Sequence, residues 1–237
     1  MGRFESKSAQ GVNYYDVKSK KSFNEIMALD RILSLYSFEM QGGSKVRETY
    51  FDTPAKLLER AGITLCKVVE GNKAYFKVER QYATAGLTTA VRKREEKVFI
   101  HDIAPNDDLK KHMYYIIDGI SSLFSTNFNI DLENVLKTVT PKLDIQTKIS
   151  RVKVFSGNGF KCYMDFEDVL FKNFENKKTV ERLMLKVQMS SSMTFISTFE
   201  DFNTQLQRYC KTIFEIHDTK YQLALRLTKP QITNGKK

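Results

Sequence analysis

The 237-residue sequence has little cysteine, few prolines and no long apolar run, and each shortage argues against a class of protein. Its three cysteines, Cys66, Cys162 and Cys210, lie far apart with no CxxC pair. An odd, scattered set argues against a disulfide framework and against a thiolate zinc site, so the three read as small buried hydrophobes in a reducing compartment. No stretch approaches the ~20 apolar residues of a membrane span. The opening MGRFESKSAQG is polar and lacks the apolar region of a secretory signal. The expectation is a cytoplasmic protein with no membrane partner. GxSxG, HExxH, the Walker lysine loop and GxGxxG are all missing, which removes support for a serine hydrolase, a zinc protease or a nucleotide-binding fold. His101, His112 and His217 read as isolated.

What is present is a globular composition with a basic balance. The apolar fraction is 41% and the aromatic fraction 12%, while 38 Lys+Arg against 28 Asp+Glu give a net charge of +10. That balance favours phosphates, nucleic acid or another anionic partner. No repeat or low-complexity segment divides the chain, so one domain over 12–228 is expected, with 1–11 and 229–237 as flexible tails.

Helical signals come from capping and periodicity. Ser22 with Glu25 reads as a capping box ahead of a stripe of Phe23, Ile26, Leu29, Leu33 and Tyr36. Asp52-Thr53-Pro54 opens a short helix that Gly62 closes. Further helices are expected from Asn106 to Phe124 and over 131–139, 194–210 and 218–228. Gly42-Gly43 and Gly157-Asn158-Gly159 read as turns.

The segments between them alternate. Phe160, Cys162, Met164 and Phe166 share one face, opposite Lys161, Tyr163, Asp165 and Glu167. Leu183, Leu185, Val187 and Met189 oppose Met184, Lys186 and Gln188, and Phe76 and Val78 oppose Lys77 and Glu79. Arg92, Arg94 and Glu96 fall on one side of their strand, as do Asp16, Lys18 and Lys20, and Arg151 and Lys153. Amphipathic helices packed over the apolar faces would leave the charged faces pointing at one another. Periodicity alone leaves two architectures open, a barrel with a polar interior and an open sheet with one solvated face.

Residues 49–65, TYFDTPAKLLERAGITL, bear on that choice. This stretch resembles the CYTH family of triphosphate tunnel metalloenzymes, in which a Y-F-D-T-P strand leads into a short helix, A-G and a further strand. The order of later elements fits from about residue 12 to 227 and ends in Thr219-Lys220-Tyr221, similar to the family's S-K-Y. The resemblance implies an α+β fold: a closed or nearly closed antiparallel eight-stranded β-barrel, a tunnel with helices packed outside. It also implies a triphosphate or polyphosphate ligand, held with Mg²⁺ or Mn²⁺ as cofactor.

Carried over residue by residue, the resemblance assigns phosphate binding to Lys18, Lys20, Lys77, Arg92, Arg94, Arg151, Lys153, Lys186 and Lys220. It gives metal binding to Asp16, Glu96 and Asp165, with Glu96 and Asp165 catalytic. The opening acidic strand falls on Asp16-Val17-Lys18-Ser19-Lys20, with Arg3-Phe4-Glu5-Ser6-Lys7 as a second register. Lys77 or Glu79 takes the family's lysine position. Several acidic positions are lost: Arg92-Lys93-Arg94-Glu95-Glu96 is one glutamate short, and Met184-Leu185-Lys186 has none.

The expected lumen therefore holds nine cations (Lys18, Lys20, Lys77, Arg92, Arg94, Arg151, Lys153, Lys161, Lys186) against five anions (Asp16, Glu79, Glu96, Asp165, Glu167). Two readings follow. One is a metal-dependent hydrolase of a phosphoanhydride, with RNA 5′-triphosphatase activity as a variant. The other is a module of the same fold that binds nucleotide or polyphosphate without turnover. Nucleic acid enters either reading only through a 5′-triphosphate, since there is no RNP-like strand or basic recognition helix.

Overall fold

A computed structural model of the chain describes residues 2–8, 11–31, 33–80, 95–124, 131–190 and 193–229. Among the described residues, ten strands form one antiparallel sheet: β1 (Gly2–Ser8), β2 (Val12–Val17), β3 (Ser37–Asp52), β4 (Ile63–Glu70), β5 (Lys73–Arg80), β6 (Glu95–Ile103), β7 (Thr140–Phe155), β8 (Lys161–Asn173), β9 (Thr179–Met189) and β10 (Ile213–Ile216). Their spatial order is β1-β6-β5-β4-β3-β7-β8-β9-β2-β10. Six α-helices accompany them among the described residues: α1 (Lys20–Met27), α2 (Leu57–Arg60), α3 (Met113–Phe124), α4 (Leu132–Lys137), α5 (Ile196–Tyr209) and α6 (Lys220–Thr228). Among the described residues no helix is long and apolar enough to cross a membrane.

Two features depart from the expected eight-stranded barrel. The sheet is open among the described residues, because β1 and β10 end the order without pairing to one another. Ten strands are present because the two added ones carry no apolar alternation to reveal them. β1 is the polar GRFESKS, part of the segment expected to be a tail, and β10 has only four residues. β1 pairs along β6, and the Phe99 ring of β6 lies so close to Gly2 and to Gly119 of α3 that neither position has room for a Cβ. The bare backbone admits the ring.

Alternation does sort the apolar residues as expected on the convex side. The predicted stripe of α1 and the segment after it (Ile26, Leu29, Leu33, Tyr36) joins Phe160, Cys162, Met164, Leu185 and Val187 in one core, which α5 closes with Phe202 and Leu206. Phe160 and Phe202 have no exposed surface, and burying each contributes about 2–3 kcal/mol. A second convex core sets Phe76, Val78 and Phe99 against α2, α3 and α4. All three cysteines are free and buried.

The concave side differs from expectation. Helix α6 packs inside, its Leu223 and Ala224 on Tyr50, Cys66, Leu143, Ile145, Phe171 and Met184. The inner face is thus apolar over much of its floor, and its charge is confined to one part. Inner positions such as Val68, Val169 and Phe171 are apolar in the sequence itself, while their neighbours Lys67, Asp168 and Lys172 put charge on the outer face, the reverse of the expected sorting.

Three local details explain how the elements start. α1 begins at Lys20 after Ser19, and Ser22 is buried inside the helix, so the expected Ser22 cap is displaced by one turn. Asp52 accepts hydrogen bonds from the backbone N–H groups of Thr53, Leu58 and Glu59 at 2.7, 2.9 and 3.1 Å, while Thr53 Oγ1 accepts from Leu57 N at 2.9 Å. Gly42-Gly43 is no turn: it lies within β3, where a bulge between Met40 and Gly42 shifts the register against β7. Gly42 has φ 94°, which favours glycine. The bulge puts Phe38 and Met40 on the same convex face as Lys45 and Arg47, although their numbers differ in parity.

Candidate functional site

Charge on the concave face concentrates where β2, β9, β8 and β7 lie side by side. The register places Tyr14 opposite Lys186, Lys186 opposite Asp165, and Asp165 opposite Arg151, so one residue from each strand forms a row. Asp16, Met184, Glu167 and Ile149 form the next. Alternation with period two brings these side chains to one face.

Asp165 is the centre of the first row. Arg151 donates to both its oxygens, Nε to Oδ1 at 2.6 Å and Nη2 to Oδ2 at 2.8 Å. Lys186 Nζ stands 4.0 Å from Oδ2. The carboxylate is 2% exposed, whereas Arg151 keeps 45% of its side chain in solvent. Burial lowers the pKa of Lys186 below the ordinary lysine value; Asp165 and Glu167 oppose the shift, and the cations Lys220 and Arg151 add to it.

Glu167 is served from α6. The Thr219-Lys220-Tyr221 segment has three separate jobs there. Thr219 and Gln222 form a capping box that starts the helix. Lys220 points its Nζ to within 2.8 Å of Glu167 Oε2 and 3.5 Å of Thr147 Oγ1. Tyr221 stacks on Tyr50 with ring centroids 4.7 Å apart. Lys220 meets Glu167 as a close ion pair without the angles of a well-aligned hydrogen bond. Burial raises the pKa of Glu167, against the opposing pull of Lys220.

A second group lies beside the first. Lys77 Nζ is 3.3 Å from Glu79 Oε2 and 3.7 Å from Glu48 Oε1, and Tyr50 Oη donates to the same Glu48 oxygen at 3.2 Å. Burial works against the charge on Lys77, but Glu79 and Glu48 outweigh it and raise its pKa. Tyr14 sits between the groups; burial first, then Glu167 and Glu48, push its hydroxyl well above the usual tyrosine range.

Of the residues read from sequence, Lys77, Arg151, Asp165, Lys186 and Lys220 meet on this face. Asp16 shares the face of β2 but pairs with no cation among the described residues. Lys18 and Lys20 do not line it, because β2 ends at Val17. Lys18 lies over the Phe214 ring, while Lys20 enters α1 and pairs with Asp168 at 3.6 Å on the convex side. Lys153 sits at the rim with Glu39, and Lys161 is exposed. Arg92 and Arg94 lie outside the described residues, and Glu96 is known only as a backbone position of β6 opposite Lys7. The count of nine cations to five anions therefore does not describe this cluster, in which Lys77, Arg151, Lys186 and Lys220 face Glu48, Glu79, Asp165 and Glu167. Glu48 and Tyr14 escaped the sequence reading, although Glu48 shares the face of Tyr50 and Tyr14 that of Asp16 by simple alternation.

The donor set decides whether a divalent ion could sit here. Both oxygens of Asp165 are taken by Arg151, and Lys220 occupies Glu167. No three His, Cys, Asp or Glu side chains among the described residues converge as a metal site would need. These carboxylates fit cations of the protein itself and do not fit a metal in this arrangement.

Elsewhere, His101 and His112 prove to be joined. His101 Nε2 lies 3.0 Å from His112 Nδ1, and His112 Nε2 lies 3.2 Å from Asp107 Oδ2. His101 Nδ1 is buried with no partner among the described residues, and its ring stacks on Tyr115.

The chain shares its fold with solved structures of low sequence identity. It is similar to the PH1819 protein from Pyrococcus horikoshii OT3, with TM-score 0.51 and 10% identity over 91% of this chain and 98% of that one. It is also similar to a Bacillus halodurans protein whose name provisionally assigns it to the adenylate cyclases, with TM-score 0.50 and 11% identity over 90% and 98%. No protein-family model matches the sequence, and no curated protein matches it.

Proposed function

We propose that the chain binds a triphosphate or inorganic polyphosphate on its concave face, through Arg151, Lys186 and Lys220. One observation carries the reading: three cations from β7, β9 and α6 converge on a half-buried patch around two buried carboxylates. Arg151 is half exposed and gives Asp165 one N–H each from Nε and Nη2, so its other guanidinium N–H groups remain for phosphate oxygens. Lys186 is crowded by Arg151 and Lys220. An anion among the three would relieve that crowding and raise the affinity of Lys186 for its proton.

Hydrolysis of a phosphoanhydride is the second reading. It is favoured by Asp16, Asp165 and Glu167 lying in adjacent rows of one face. Asp165 and Glu167 are committed to Arg151 and Lys220, so a metal could not join them without displacing those cations.

The test is to titrate the full chain with tripolyphosphate, ATP and thiamine triphosphate, with and without Mn²⁺, following melting temperature and released phosphate. A ligand of the native state at about 100 times its Kd adds about 2.7 kcal/mol. The expected result is a rise in melting temperature without added metal, weakened about tenfold or more in affinity by Arg151→Gln or Lys186→Met. Phosphate release with Mn²⁺ would establish the second reading. A melting temperature unmoved by every polyanion would overturn both.

A further inference from the structure

A second basic region lies on the opposite side of the sheet. Lys45 of β3 and Lys148 of β7 are directly opposed across the ladder on the convex face. Like charges so placed destabilise a sheet. Lys20 and Lys21 open α1, where the helix dipole disfavours cations. All four line a groove of about 1190 Å³ between α1, the β3–β7 ribbon and the β4–β5 turn, where the acids are Asp168 and Glu70. Each of these lysines is exposed, and Lys20 keeps 77% of its side chain in solvent even beside Asp168. Unlike the concave cluster, this one has twice as many cations as carboxylates.

The groove is not merely basic. Phe23, packed edge-on against Phe166 at 4.7 Å, and Met27 line it from α1 and the sheet. Met40, at the β3 bulge, presents an apolar side chain that is 59% exposed. Lysines at the rim over an apolar, aromatic floor match the two chemistries of one polymer: phosphates outside and base faces inside. A bare polyphosphate would use the lysines and gain nothing from Phe23 or Met40. We propose that this outer groove binds single-stranded nucleic acid, independently of the concave site.

The experiment measures fluorescence anisotropy of labelled oligo(U) RNA of about 15 nucleotides with the full chain. Salt is varied between about 50 and 200 mM. The unaltered chain is expected to bind, with affinity falling steeply as salt rises. The double variant Lys45→Gln/Lys148→Gln should bind about tenfold or more weakly, and its log–log salt slope should be shallower by about 1.4, about 0.7 per lost phosphate contact. Its melting temperature should stay close to that of the unaltered chain, since losing the like-charge pair offsets losing the Lys148–Asp168 pair. Met40→Ala should weaken oligo(U) and leave polyphosphate binding unmoved. Arg151→Gln, which alters the concave face, should bind oligo(U) as the unaltered chain does. The proposal is overturned if oligo(U) fails to bind, if the double lysine variant binds normally, or if Arg151→Gln abolishes binding. Polyphosphate that binds the groove as tightly as oligo(U), with equal loss in the lysine variant, also overturns it.

Discussion

The two basic regions of the sheet handle charge in opposite ways. On the concave face, Arg151 and Lys186 flank Asp165, Lys220 meets Glu167, and Lys77 meets Glu79 and Glu48. Carboxylates as buried as Asp165 and Glu167, at 2% and 1% exposure, would be too costly unpartnered. On the convex face, Lys45 and Lys148 stand beside one another with Asp168 across the ladder from Lys148 only, and water bears the remaining repulsion. The difference shows that basic residues alone do not mark a site. Inside, burial dictates pairing; outside, an unneutralised pair is cheap enough to persist and is the better sign of an anionic partner.

If burial sets the energetic weight of a charge, removing a buried acid should cost most. Asp52 is 4% exposed and accepts three backbone N–H groups. Asp52→Ala would strand those donors and should cost about 3 kcal/mol, read as a lower urea midpoint at unchanged slope. Asp165→Ala comes next, at about 2 kcal/mol. Breaking a buried pair costs about 3–5, but half of the Arg151 side chain is already solvated, which discounts the loss. Adding Lys186→Met to Asp165→Ala should recover part of that deficit. If the double variant is less stable than either single one by their full sum, the two side chains are not coupled and the description of the concave cluster fails.

Asp52 also shows why part of the fold was legible. The Tyr50-Phe51-Asp52-Thr53-Pro54 segment is informative because it is a structural device, a carboxylate that closes the β3–α2 corner, and such devices survive as local patterns. The faces of β5, β8 and β9 were legible for the same reason: period-two alternation is local. What failed was everything that depends on a distant partner or a shift of phase. The reading of Lys18 and Lys20 as lumen residues extends the β2 alternation past Val17, but the strand ends there and α1 begins at Lys20. The bulge beside Gly42 reverses the parity of β3, and β1 is visible only through its pairing with β6 and the contact of Phe99 with Gly2. The inward packing of α6 could not be read either, since an amphipathic helix suits an apolar floor as well as an apolar roof. For the site, residue types were readable, but their neutralisation was not, because an ion pair such as Lys220–Glu167 joins residues far apart in sequence.

A buried group on the convex side tests whether that side is ever as strict as the concave one. His101 is 3% exposed, and burial together with His112 lowers its pKa below the ordinary histidine value. Asp102, on the solvent side of β6, acts the other way, and Asp107, held by Lys111 and His112, has its carboxyl pulled down to about 2. A folded pKa below the unfolded one means that the unfolded chain takes up the proton more readily. Stability is therefore full above about pH 6.5 and declines as pH falls through that range. Melting temperatures at about pH 7.5 and 5 should show that decline, and His101→Phe, which retains the ring against Tyr115, should shrink it. An equal decline in the variant would mean that the Asp107–His112–His101 chain carries none of the pH dependence.

The smallest effect has the opposite sign. Lys148→Glu would turn the opposed Lys45–Lys148 pair into an opposite-charge pair across the same rungs. Cross-strand charge pairs are worth about 0.2–1 kcal/mol, and both positions are exposed, so a gain of about 0.5 kcal/mol is expected. For a chain of this length that is about 1–2 °C in melting temperature, and it should fade as salt is raised. Asp168 opposes Lys148 on its other side and would limit the gain by facing the new carboxylate. A destabilised Lys148→Glu would mean that Asp168, and not Lys45, is the neighbour that Lys148 serves. The convex lysines would then be paired as the concave ones are, and the contrast between the two faces would be lost.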